Sequence, residues 1–279
     1  MTATLALPAA SGAGRRTFQP LADLASLTWR NLLHIAREPT QLSDVTIQPV
    51  LFTLLFVYVF GSAVAGDGGS YHQFAIAGLL AMNLTTSAMG TAVGLSQDLE
   101  TGIIDRFRTL PMWRPAWLFG RTFADLLTAA LCSLIVAATG LVVGWRPEGS
   151  ALGVLGGFGL FLLFSYALSW ACASIGLASK GPESAQGLGL IVLFPLAIVS
   201  NALVPTNHMP HIIRVLADWN PVSAVTSATR NLWGNPNPSA SIHAWPMQHA
   251  ALAAVLWSVA LLAVFVPIAT AVYRRRTTE

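Results

Sequence analysis

Leu152-Gly-Val-Leu-Gly-Gly-Phe-Gly-Leu-Phe-Leu-Leu-Phe-Ser-Tyr-Ala-Leu-Ser-Trp-Ala-Cys-Ala-Ser-Ile-Gly-Leu177 decides the fold, because no charged side chain occurs anywhere in it. A helix rising about 1.5 Å per residue needs about 20 residues to cross a hydrocarbon core about 30 Å thick. This stretch is long enough to do so. Scanned on the same length, the rest of the chain yields five more candidates: about Val45–Ala65, Tyr71–Leu95, Leu118–Val143, Ser184–Val204 and Met247–Tyr273. The pattern predicts an all-α polytopic membrane protein, with a six-helix transmembrane domain over residues 45–273.

Composition agrees with that reading. The chain is 54% hydrophobic and only 10% charged, with a mean hydropathy of +0.61. Soluble domains carry about a quarter charged residues, so the polar surface that solubility requires is missing. A net charge of +3 could suggest nucleic acid. The basic residues, however, are scattered between apolar blocks instead of gathering on one face, and no nucleic-acid partner is expected. Cys132 and Cys172 each sit inside an apolar run, which speaks against a disulfide framework or a zinc site. His208 and His211 have Pro210 between them and no evident third ligand, so no metal is expected.

The basic residues read instead as topology signals. Arg15, Arg16, Arg30 and Arg37 precede the first span. Arg106, Arg108, Arg114 and Arg121 lie between spans two and three. Lys180 follows span four, and Arg274, Arg275 and Arg276 end the chain. Those twelve share one side of the membrane, and only Arg146, Arg214 and Arg230 fall on the other. The positive-inside rule then puts both termini in the cytoplasm. Residues 1–19, rich in Ala, Gly, Ser and Thr, are expected to form a disordered cytoplasmic tail. Their short apolar run, followed and not preceded by arginine, does not read as a signal peptide.

Residues 20–38 run between two prolines, and Leu21, Leu24, Thr28, Leu32 and Ile35 share one helical face. An N-terminal amphipathic interfacial helix with Trp29 at the headgroups is one reading. A cytosolic extension of the first span is the other. Between the fifth and sixth candidates, Met209-Pro210, Asn220-Pro221 and Gly234-Asn-Pro-Asn-Pro238 punctuate a stretch too short to span and too apolar for a free loop. It is expected to form an extracellular re-entrant helical hairpin, tolerable at that depth only if packed against protein.

The loop after the second span carries the clearest motif, Gln97-Asp-Leu-Glu-Thr-Gly-Ile-Ile-Asp-Arg-Phe-Arg-Thr-Leu-Pro-Met112. Ile103, Ile104, Phe107 and Leu110 make an apolar stripe at helical spacing, flanked by Asp105, Arg106 and Arg108. Docking into a partner's groove and an ordinary surface helix both fit such a stripe. Lys180 is the only lysine and has no upstream glycine-rich turn, so the chain has no phosphate-cradling loop and is not expected to be an enzyme. No catalytic residues are assigned. Within the spans, Arg121 and Asp125 are spaced for a helical ion pair. Asn83, Thr86, Ser165 and Ser169 could line a substrate path or simply bond to helix carbonyls. Glycines such as Gly153, Gly157, Gly159, Gly187 and Gly189 read first as helix-packing positions.

The loop Asp98-Leu-Glu100-x-Gly102-Ile-Ile-Asp105-Arg-Phe-Arg-x-Leu-Pro111 resembles the second cytoplasmic loop of type-2 ABC exporter permeases, most of all the daunorubicin/doxorubicin-resistance subgroup. Met209-Pro210, Asn220-Pro221, Ala228, Arg230 and Gly234 resemble that family's signature before the last span. The resemblance implies a transmembrane subunit of an ATP-driven exporter in the bacterial plasma membrane. It also implies coupling to the ATPase through Asp98, Glu100, Gly102, Ile103, Ile104, Asp105, Arg106, Phe107, Arg108 and Leu110. Two ABC ATPase subunits would bind ATP and magnesium, leaving no cofactor in this chain. A second permease, identical or paralogous, would complete the unit. The cargo would be an amphipathic drug, antibiotic or lipid moved by alternating access among membrane lipids. An exporter of lipid-linked glycan, or a non-transporting membrane scaffold, remains open on the residues alone.

Overall fold

A computed structural model of the chain describes residues 20–61, 71–102 and 116–278, and these are helical with short turns. In chain order the helices are α1 (Pro20–Arg37), α2 (Pro39–Leu55, continued by a π-turn over Phe56–Phe60), α3 (Tyr71–Ser87), α4 (Met89–Glu100) and α5 (Ala116–Val143). Then come α6 (Ala151–Ala178), α7 (Pro182–Ile198), α8 (His211–Asp218), α9 (Pro221–Trp233), α10 (Trp245–Gln248) and α11 (Ala250–Thr278).

The charge-free stretch is α6. Ser150 caps it by accepting from the Gly153 N–H, and Pro182 starts α7 four residues after its end, where the missing N–H costs nothing. Five helical segments among the described residues are long and apolar enough to cross a membrane: Leu42–Val59, Tyr71–Glu100, Trp117–Val143, Ala151–Ala178 and Ala250–Arg275. Their outer faces carry bare hydrocarbon, with Val142 87% and Leu152 82% exposed. Apolar surface on that scale suits a lipid solvent and not water.

The fifth expected span is shorter than predicted. Instead of running to Val204, α7 has 17 residues, about 25 Å of helix, which is less than a hydrocarbon core. Pro195 lies in its last turn, and the polar pair Ser200-Asn201 turns the chain into contacts described below. The second span is also not one uninterrupted helix. It breaks at Ala88, where the Thr91 N–H bonds the Ala88 carbonyl in place of the Ser87 carbonyl.

Two apolar cores hold the bundle. The larger, around Ile76, Leu80, Phe161, Phe164, Val225 and Trp233, joins α3, α5, α6, α9 and α11. The smaller lies at the other end, where Leu27 of α1 meets Leu95, Trp117, Trp170, Leu177 and Tyr273. The buried side of α1 is formed by Leu27, Thr28 and Asn31, while Trp29 is 63% exposed on the opposite side. Of the expected apolar face, Thr28 is buried. Most of the contact made by α1 is with α5, so protein covers part of the face assigned to the membrane surface.

Candidate functional site

Of the signature residues, Asn220, Ala228 and Arg230 are buried at the end of the bundle opposite α1, Met209 and Pro221 are half-buried, and Pro210 and Gly234 are exposed. Asn220 caps α9, accepting from the Val222 N–H at 2.8 Å while its own amide donates to the Leu196 carbonyl at 2.8 Å and to the Val199 carbonyl. Pro221 then occupies the first helical position. At the other end Gly234 takes φ 69°, a left-handed value that a side chain would strain. The Asn235 N–H closes that turn on the Arg230 carbonyl at 2.9 Å. Pro210 sits just before the first residue of α8, and the Met209 N–H bonds the Thr206 carbonyl at 3.0 Å.

Arg230 is fully buried. Its Nε donates to the Phe74 carbonyl at 3.1 Å, Nη1 to Asn201 at 3.0 Å and Nη2 to Ala202 at 2.7 Å. The guanidinium carbon lies 3.7 Å from the centroid of the Phe74 ring. One side chain therefore ties α9 to the start of α3 and to the turn after α7. A planar five-donor fork can serve three carbonyls together, whereas an ammonium is a point charge. Close backbone contact surrounds it: a Cβ on Gly78 of α3 would overlap the Ala202 carbonyl.

Sequence reasoning missed several residues here. Asn201 donates to Ser227 at 2.6 Å and Ser239 at 2.9 Å, and its backbone N–H donates to the Ser223 hydroxyl. The available signal was a Ser-Asn pair closing an apolar run. The Trp145 indole donates to Asn235 at 3.0 Å and packs edge-on against Trp233. Asp218 accepts from Thr206 at 3.0 Å. Burial raises its carboxyl above the ordinary value, with the Thr206 bond and nearby Arg214 opposing. This contribution to stability is present at low pH and is lost as pH rises through the raised value. Asn220→Ala is expected to cost about 1–2 kcal/mol through the lost cap and the two orphaned carbonyls. A drop in the thermal midpoint of the purified protein measures it.

The second feature lies between α1, α2, α3, α4, α5 and α7, toward the α1 end. A cavity of about 650 Å³ opens there, lined by Arg30, Asp44, Asn83, Thr86, Arg121 and Asp125 among others. A smaller recess of about 40 Å³ shares Ser87, Asp125 and Thr128 with it and is closed by Ala88, Thr91, Ala129, Ser165 and Ser169. All four candidate path residues thus border one of two adjoining spaces: Asn83 and Thr86 the cavity, Ser165 and Ser169 the recess. Asn83, Thr86 and Ser169 also bond carbonyls of their own helices. Arg121 Nε lies 3.5 Å from Asp125 Oδ1. Thr91 donates to Oδ2 at 2.7 Å, and Arg121 Nη2 reaches the Gly90 carbonyl at 3.3 Å. The expected ion pair is present within α5, and the bonds its two members make to Thr91 and Gly90 fasten α4 to α5.

The loop assigned to the ATPase is described only at its start. Asp98 lines the cavity, Glu100 is exposed, and Gly102 ends α4 at φ 68°. Ile103, Ile104, Asp105, Arg106, Phe107, Arg108 and Leu110 lie outside the described residues.

Several apolar helices, a buried polar unit at one end and a polar cavity toward the other define a multi-pass membrane permease. The family model described as "ABC-2 type transporter" matches residues 22–232, and the chain belongs to that family. A daunorubicin resistance ABC transporter permease protein, DrrB1, from Streptomyces coeruleorubidus is 35% identical over 222 residues, covering 79% of this chain and 78% of the relative. A putative transport permease, ycf38, from Porphyra purpurea is 27% identical over 225 residues, covering 78% and 76%. A probable doxorubicin resistance ABC transporter permease protein, DrrC, from Mycobacterium tuberculosis is 25% identical over 207 residues, covering 73% and 74%. Membership implies ATPase partner subunits.

Proposed function

We propose that this chain is the membrane subunit of an ATP-driven exporter that moves an amphipathic drug, antibiotic or lipid out of a bacterial cell by alternating access. The observation that carries the reading is the 650 Å³ cavity, which mixes polar and apolar walls inside an apolar bundle. Among its walls are α4 and α5, the two helices that flank the loop from Asp98 to Leu110. A push on that loop would reach the cavity directly. The drug-resistance names of two relatives favour an amphipathic cargo over a lipid-linked glycan.

In this reading both termini are cytoplasmic and residues 1–19 form a tail there. Helix α1 is the connecting helix at the membrane surface, its exposed Trp29 at the headgroups. The pair α8–α9 dips into the outer leaflet as a re-entrant hairpin, and α7, short by itself, crosses with that hairpin completing its depth, which makes six spans. Two ATPase subunits carry ATP and magnesium, and a second permease, identical or paralogous, supplies the facing half. The bistable element is the permease–permease interface, biased one way by ATP and the other by cargo.

Purification of the tagged chain from its native membrane, with mass spectrometry and an ATPase assay, tests the proposal. Co-purification of a subunit with a phosphate-cradling Gly-Lys-Ser/Thr loop and vanadate-sensitive hydrolysis is expected. A stable chain without any ATPase partner would return the scaffold reading to the front.

A further inference from the structure

Arg121 and Arg230 both lie inside the bundle, and they are held in opposite ways. Arg230 is gripped by three carbonyls at 2.7–3.1 Å. The contacts of Arg121 are longer, 3.3 Å from Nη2 to the Gly90 carbonyl and 3.5 Å from Nε to Asp125, where tight charge-assisted bonds run about 2.7–2.9 Å. The guanidinium nevertheless has a seat shaped for it. Gly90 and Gly94 stand about one turn apart on α4, the spacing at which small residues ordinarily admit a neighbouring helix. Here an arginine side chain lies in the notch. A Cβ on Gly94 would overlap the Arg121 guanidinium, whereas one on Gly90 would meet nothing. Asp125 steadies the arrangement by accepting from Thr91 at 2.7 Å.

The seat spans a seam. Helix α4 packs most of all on α6 and α7, closely enough that a Cβ on Gly176 of α6 would overlap the Ala92 carbonyl. Helix α5 packs most of all on α1 and α2. The 650 Å³ cavity lies along that division, and Gly90, Gly94, Arg121 and Asp125 all line it. A polar contact at the wall of a cavity can break and re-form against water, which interlocked apolar side chains cannot do. Asp44 and Asp98 line the same space, so a guanidinium that leaves its seat still faces a polar cavity and not hydrocarbon. We infer that Arg121 is a latch: seated on Gly90 and Gly94 it holds α4 and α5 together across the cavity, and its withdrawal widens the cavity along that seam. This inference rests on the exporter reading and deepens it by naming the positioning residue through which the loop between α4 and α5 governs the cavity. A load on that loop reaches both helices, and the seat is where they are joined. A contact that is either made or broken supplies the discrete states that such coupling needs.

The test uses the full purified chain in phosphatidylcholine nanodiscs and needs no ATPase, so failure to find an ATPase partner would sink the exporter reading without deciding this one. The chain carries its own reporters. Cys132 lines the cavity at 3% exposure, and Cys172 is fully buried. Alkylation of each thiol by N-ethylmaleimide is followed by mass spectrometry. Arg121→Ala and Gly94→Ala are each expected to raise the Cys132 rate about tenfold, the worth of a hydrogen bond to a charged group, with Cys172 unchanged. Gly90→Ala gains the same helix propensity and is expected to stay within about twofold of wild type. Gly94→Ala combined with Arg121→Ala is expected to add nothing to either alone, because both empty the same seat. Arg121→Lys keeps the charge but not the fork; it is expected to give about a threefold rise, and serves if the alanine variants do not accumulate. An unchanged Cys132 rate in the Arg121 variants, or equal rates in Gly94→Ala and Gly90→Ala, would overturn the inference. So would a parallel rise at Cys172, which would make Arg121 a general fastening like Arg230. A return to the wild-type rate in the double variant would overturn it too, reducing the notch to a steric fit.

Discussion

Arg230→Met is expected to lower the thermal midpoint of the purified protein by roughly 10 °C and its level in membranes several-fold. Methionine fills most of the volume but donates nothing, so the carbonyls of Phe74, Asn201 and Ala202 lose their partner together. Each orphaned buried acceptor costs about 1–3 kcal/mol. Partial relaxation brings the total to about 3–5 kcal/mol, in line with other cases where one partner of a buried charged contact is removed. The stack on Phe74 is lost as well. Arg230→Lys is expected to recover less than half of the loss. Its ammonium keeps the charge but cannot fork across two neighbouring carbonyls and a third on another helix. A Met variant that melts with the wild type would show that the carbonyls are satisfied in some other way and that Arg230 is not the fastening.

The same clamp shows what sequence can and cannot convey. Hydropathy reports length free of charge, so α6 was found to within one residue at either end, and α5 and α11 were placed to within a few. It is nearly blind to where an apolar run stops being straight. The hydropathy carries α7 six residues past its C-terminal end because Val199 to Val204 remain apolar on balance. The chain turns there because Asn201 has partners on α9 and beyond it, at Ser227 and Ser239. Those partners lie more than 25 residues away in sequence, and nothing local announces them. The break at Ala88 is equally silent.

The signature before the last span was legible as a pattern but not as a mechanism. Asn-Pro before a helix and Gly after it are cap chemistry, which a reader of helix ends can decode. Arg230 is different. An arginine flanked by Thr229 and Asn231 reads as a solvated surface residue, and only the approach of three backbone segments makes it the most buried charge in the described residues. Asp125 shows the converse. Its ion pair with Arg121 followed from i, i+4 spacing, but its place beside a hydroxyl-lined recess depends on α3, α4, α5 and α6. The hydroxyls of Ser87, Thr128 and Ser169 are turned to carbonyls of their own helices, and that of Thr91 to Asp125 itself.

Ile104→Asp is expected to cut association with the ATPase partner, and export with it, by about tenfold or more while leaving the chain inserted. If the stripe Ile103, Ile104, Phe107 and Leu110 lies in an apolar groove of the partner, a carboxylate at its centre must be desolvated without a counter-charge. Helix α4 ends in the left-handed turn at Gly102, and α5 resumes at Ala116. The Thr91–Asp125–Arg121 contacts hold these two helices together. A force applied to the loop is therefore delivered to both helices at once, and both line the cavity. Glu100→Ala, at the exposed end of α4, is expected to keep the ATPase bound yet separate hydrolysis from export, because it removes a contact at the rim and not the stripe itself. Vesicles carrying each variant with the ATPase, assayed for hydrolysis and cargo accumulation, distinguish the two effects. Unimpaired export in both would mean that the loop is a surface helix satisfied by its own neighbours, and that the ATPase acts through another part of the chain.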